Sequence, residues 1–97
     1  MDTIRKICDL VPLDERLVCL AEEASELAQA ALKYRRTLIT SNPTPVDSET
    51  AYDRLLEEIA DVKLCLKTLR TNSIVISDTI EYKADRWLQR LEARNES

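Results

Sequence analysis

Neither glycine nor histidine occurs anywhere in this 97-residue sequence. Without glycine there can be no Gly-rich phosphate loop, dinucleotide fingerprint or type I′ hairpin. Without histidine there is no Ser-His-Asp or Cys-His catalytic pair, and any metal must be held by oxygen or thiolate ligands. Thiols are few. Cys8, Cys19 and Cys65 are odd in number and no two have CxxC spacing, so neither a disulfide framework nor a zinc ribbon is expected. Buried free thiols in a reducing cytoplasm are the expectation. Long apolar runs are missing as well. No segment approaches the roughly 20 apolar residues of a membrane span, and the start lacks a signal-type apolar run, so a cytoplasmic protein is expected. A net charge of −4 disfavours nonspecific binding to nucleic acid.

What is present suits a folded helical chain. Hydrophobic residues make up 44% and charged residues 33%, which argues against wholesale disorder. The length fits a single domain, residues 1–97, with a core thin enough to invite oligomerisation. Asp2 to Leu10 can form a short helix, and Pro12 sits where a second helix starts. Leu17, Leu20, Ala24, Leu27, Ala31 and Tyr34 repeat at three and four, which predicts a helix from about Leu13 to Arg36. Residues 37–47, with Pro43 and Pro45, read as a loop longer than the roughly two to eight residues usual between antiparallel helices. Asp47 or Ser48 should cap a third helix that reaches about Arg70. The β-branched Ile74, Val75 and Ile76 read as a connection into a fourth helix. That helix is expected to be capped by Ser77 or Asp78 and to bury Ile80, Ala84, Trp87, Leu88 and Leu91.

The acidic residues break this pattern. At 100° per residue from Leu20, Glu23 falls at about −60°, Glu26 at about −120° and Glu22 at about −160°. Glu23 and Glu26 thus project together beside the apolar stripe. On the third helix, Leu55, Ile59, Val62, Cys65, Leu66 and Leu69 define an apolar arc, and Glu58 lies inside it with Asp61 on its edge. A carboxylate on an apolar face is unfavourable unless it is paired or binds a metal. Like charges at i and i+3 repel, and the chain accepts that repulsion on two helices. A divalent cation, Mg²⁺ or Mn²⁺ in an all-oxygen shell, would compensate both. The competing explanation is a solvated charged face paired with Lys or Arg.

The runs Leu20-Ala21-Glu22-Glu23-Ala24-Ser25-Glu26-Leu27-Ala28 and Leu56-Glu57-Glu58-Ile59-Ala60-Asp61-Val62 together resemble the EExxE…ExxD signature of the MazG-like, all-α nucleoside triphosphate pyrophosphohydrolases. The resemblance covers two helices and implies a four-helix, MazG-like bundle completed by oligomerisation as a dimer or tetramer. It implies Mg²⁺-dependent hydrolysis of a nucleoside triphosphate to the monophosphate and pyrophosphate. The family's ligand positions fall on Glu23, Glu26, Glu58 and Asp61, with Glu22, Glu23 or Glu26 available to activate water. A family pattern K-x₃-N-x₂-R, which meets phosphates, falls on Lys83 and Arg90, with Trp87 where the Asn would stand and Arg86 on the same face. Lys63 and Lys67 are weaker phosphate candidates. Trp87 or Tyr82 could stack on a base, although a Trp at such a position is more often core. A non-catalytic helical dimerisation or adaptor module that retains the motif is the alternative. A ferritin-like di-iron bundle in its usual form needs the missing histidines.

Overall fold

A computed structural model describes residues 2–39 and 46–96, and among these every regular element is helical. Helix α1 spans Thr3–Leu10, α2 Leu13–Thr37, α3 Ser48–Leu69 and α4 Ser73–Glu96. The capping residues account for most of these boundaries. The Asp2 carboxylate accepts from the Ile4 N–H at 2.9 Å, and the Asp47 carboxylate accepts from the Thr50 N–H at 2.7 Å. Each satisfies an orphan donor of a first helical turn. The same bond holds the Asp47 carboxyl below the usual carboxylate range. Pro12 precedes α2, and Arg35 and Arg36 occupy its last turn, where the helix dipole favours cations. The centre of the expected loop, residues 41–45, lies outside the described residues.

The start of α4 differs from the sequence expectation. Ile74, Val75 and Ile76 are the first turn of the helix rather than a connection before it. Asn72 is the cap: its side-chain oxygen accepts from the N–H groups of Ile74 and Val75, both at 3.1 Å. One well-placed acceptor outweighs the modest helix penalty of three β-branched residues. With no glycine in the chain, Arg70 itself takes the left-handed conformation that ends α3, at φ 55° and ψ 46°.

Helices α2 and α3 pack side by side, and α1 touches α3. Facing residues run in opposite order: Arg16 meets Thr68, Glu26 meets Glu58 and Tyr34 meets Tyr52. The pair is therefore antiparallel. Ala30 and Ala51 are its most buried apolar residues, small enough to bring the helices close. The rings of Tyr34 and Tyr52 lie 5.4 Å apart at a tilt of 51°, a favoured aromatic geometry. At the other end, Arg16 and Cys8 both donate to the Thr68 carbonyl, and Arg16 Nε donates to Val11 O at 2.9 Å. These bonds satisfy orphan carbonyls at the ends of α1 and α3.

Helix α4 has no extensive packing against any other helix. Its expected apolar face is open: Trp87 is 63% and Ile80 62% exposed, with Leu88 and Leu91 exposed beside them. On a wheel with Ile76 at zero, Ile80, Ala84, Trp87, Leu88 and Leu91 fall within about 0° to 120°. Lys83, Arg86 and Arg90 flank that stripe at about −20° to −80°. The radius of gyration is 17.7 Å, against about 12–13 Å for a compact chain of this length. The accessible area is 8065 Å², roughly 2,400 Å² more than a compact monomer of this mass exposes.

Candidate metal centre

The antiparallel seam brings carboxylates from two helices together. Glu23 and Glu26 lie one turn apart on α2, and Glu58 meets them from α3. One oxygen from each falls within 4.8 Å of the other two. Asp61, one turn further along α3, is close enough to push up the Glu23 and Glu58 carboxyls but is not within that tight group. Glu22 is exposed and outside the group.

Glu23 and Glu58 are half-buried, and Oε2 of each is shielded from solvent without a hydrogen-bond partner. A carboxylate oxygen in that situation has lost water and gained no donor. Desolvation is the main reason that both carboxyls titrate above the usual value of 4.5. Repulsion from Glu26 and Asp61 adds to both, and Glu57 adds to Glu58, while Arg54 acts on Glu58 in the opposite direction. Glu23 also gains from a hydrogen bond with Glu26, which exists only while one of the pair holds a proton. Burial, Glu23, Cys19 and Asp61 push the Cys65 thiol up, so it stays protonated and is a poor metal ligand at neutral pH. The donor set is therefore all oxygen, which suits a hard divalent cation.

All three cysteines are free. Cys8 and Cys65 are half-buried, but Cys19 is exposed on the flank of α2, contrary to the expectation of three buried thiols.

These shifts have a testable sign. The folded chain holds protons on Glu23 and Glu58 at a pH where the unfolded chain has lost them, so stability falls as pH rises from 4.5 through the raised values. In a chelator, the melting temperature of the native chain should fall across that window relative to a Glu23→Gln/Glu58→Gln variant. Adding Mg²⁺ should restore it at neutral pH and do little at pH near 4.5, the usual carboxyl value. Parallel melting curves for the two proteins, with and without Mg²⁺, would contradict this.

The basic residues expected from the sequence to meet phosphates lie elsewhere. Lys83, Arg86 and Arg90 line a groove of about 420 Å³ with Tyr82 and Trp87, all on α4. Arg86 Nη1 donates to the Tyr82 hydroxyl at 3.3 Å, and its guanidinium lies 5.8 Å from that ring's centre. No residue of this groove lines the carboxylate groove, which has a volume of about 240 Å³ and is walled by Glu26, Gln29, Ala30, Lys33, Arg54 and Glu58. Lys33 and Arg54 were not singled out as ligand-binding residues from the sequence. Their spacing held the signal: Lys33 is seven residues after Glu26 and Arg54 four before Glu58, so each shares a helix face with a carboxylate. Only the antiparallel register reveals that the two faces meet.

No protein-family description, curated protein or solved structure matches this chain.

Proposed function

We propose that the chain is a divalent-cation-dependent nucleoside triphosphate pyrophosphohydrolase of MazG-like type that works as a homo-oligomer. One observation supports this above the rest: two solvent-shielded carboxylate oxygens without partners, on different helices, inside a group of three carboxylates. An apolar core would not select this arrangement, and a cation relieves it at once. Glu23, Glu26, Glu58 and Asp61 would hold Mg²⁺ or Mn²⁺. When bound, the cation supplies charge neutralisation and Lewis acidity at the phosphate chain.

The chain's own groups do the rest. A water oxygen attacks the α-phosphorus, the bond to the bridging oxygen of the β-phosphate breaks, and pyrophosphate leaves with the electron pair. A carboxylate not fully used as a ligand, on Glu22, Glu23 or Glu26, orients the water and takes its proton. Lys83, Arg86 and Arg90 would offset charge on the phosphates.

Oligomerisation is part of this reading. The exposed stripe of α4 and the exposed Leu17, Leu56 and Leu64 of α2 and α3 need a cover. The excess area of roughly 2,400 Å² per chain matches what an obligate partner removes. A second copy seated on the α4 stripe would also bring the basic flank of α4 to the edge of the interface. This is how Lys83, Arg86 and Arg90 could reach a carboxylate groove, since in one chain they line a separate surface.

Incubation with a panel of nucleotides and Mg²⁺ or Mn²⁺ tests the activity. Metal-dependent pyrophosphate release from at least one triphosphate is expected. No release, with no rise in melting temperature on adding Mg²⁺, would favour the adaptor reading.

A further inference from the structure

The carboxylate groove has two chemically different ends. Glu26 and Glu58 form one. Lys33 of α2 and Arg54 of α3 form the other, with Gln29 and Ala30 between them. Lys33 lies two turns beyond Glu26, about 10 Å along α2, and Arg54 one turn before Glu58, about 6 Å along α3. Both cations thus stand on the same side of the carboxylates, one from each helix. Arg54 lowers the Glu58 carboxyl electrostatically. Yet neither Arg54 nor Lys33 makes an ion pair or side-chain hydrogen bond among the described residues. Two cations with no ion pair among the described residues, converging on one groove, offer a polyvalent anion a site that neither helix offers alone.

We propose that Lys33 and Arg54 clamp the terminal diphosphate of a metal-bound polyphosphate chain, the part that leaves as pyrophosphate. The proposal rests on the reading of the carboxylates as a metal centre and assigns the direction in which the substrate lies. Four carboxylates and a triphosphate are both strongly negative, and one divalent cation does not balance them. The charge of a triphosphate is greatest at its terminal phosphate, so this end has most to gain from two fixed cations. The α-phosphorus is then left beside Glu26 and Glu58, where water activation is available, and the nucleoside extends away from Lys33 and Arg54. In this assignment Gln29, an uncharged donor on the groove wall, faces the middle of the phosphate chain.

The test is a calorimetric titration of the whole protein with Mn²⁺ alone, with inorganic pyrophosphate in the presence and absence of Mn²⁺, and with a nucleoside monophosphate. Each is repeated on Lys33→Met, Arg54→Gln and the double variant. Both side chains are exposed, so circular dichroism and melting should show an unchanged fold. The clamp predicts a roughly tenfold loss of pyrophosphate affinity for each single variant, a larger loss for the double variant, unchanged Mn²⁺ binding in Lys33→Met, and unchanged binding of the monophosphate in all of them. Equal pyrophosphate affinity in all four proteins would overturn it. So would an equal loss for the monophosphate, or native protein that binds Mn²⁺ but no pyrophosphate. If pyrophosphate binds through Lys33 and Arg54 while Mn²⁺ does not bind, the clamp stands and the metal centre falls. Binding of neither overturns both.

Discussion

Glu58→Gln should lower Mg²⁺-dependent pyrophosphate release by about a thousandfold or more while the helices stay folded. The amide is nearly the same shape as the carboxylate, so α2 and α3 can still pack. What changes is the charge. Glu58 is the α3 member of the three-carboxylate group, and one of its oxygens is buried without a partner. In the absence of metal, the substitution removes a repelling, desolvated charge, so the variant should melt at or above the native temperature at neutral pH. The two effects together discriminate between explanations. A structural salt-bridge residue would destabilise the fold when neutralised, whereas a metal ligand held in waiting should lose function and gain stability in the apo chain. Full Mg²⁺-dependent turnover in Glu58→Gln would remove the basis of the proposed function.

The second large effect concerns assembly. Ile80→Glu and Trp87→Glu each place a carboxylate in the open apolar stripe of α4. If a second copy covers that stripe, either change buries an unpaired charge at the interface and should convert the oligomer to monomer. Analytical ultracentrifugation reads this directly. Trp87 is the only tryptophan in the chain, so its fluorescence reports the same event from within. It should resist quenching by acrylamide in the native oligomer and become freely quenched in Ile80→Glu. On the proposed function, activity should fall with assembly, because the basic flank of α4 lines a surface separate from the carboxylates within one chain. A native chain that sediments as a stable monomer with a freely quenched Trp87 would contradict this account of α4.

Most of the secondary structure was legible because its causes are local. Asp47 is a capping residue by type and position, and the three-four spacing of Leu17, Leu20, Ala24, Leu27, Ala31 and Tyr34 is visible without tertiary information. The β-branched run at 74–76 hides the start of α4, which the single cap Asn72 sets. In the site, the half-burial of Glu58 followed from its place in an apolar arc, and its partnership with Glu23 and Glu26 is a tertiary fact consistent with it. Glu26, the farthest of the α2 pair from the apolar stripe, nonetheless reaches the group, because a helix wheel gives direction but not side-chain reach. Lys33 and Arg54 were invisible as a pair because nothing in either helix alone fixes how the two slide past each other. Periodicity alone assigns the open face of α4 to a core, since it shows that a face is apolar but not whether its cover comes from the same chain.

Direct Mn²⁺ binding tests, without relying on any substrate, whether these carboxylates hold a divalent cation. Electron paramagnetic resonance of free Mn²⁺, titrated into the native chain at neutral pH, should show saturable loss of the free-ion signal. The loss should be competed by Mg²⁺, be weakened as pH falls toward 4.5 where Glu23 and Glu58 take up protons, and be abolished in Glu58→Gln. A free-ion signal that the native chain does not reduce, or reduces no more than Glu58→Gln does, would contradict the account.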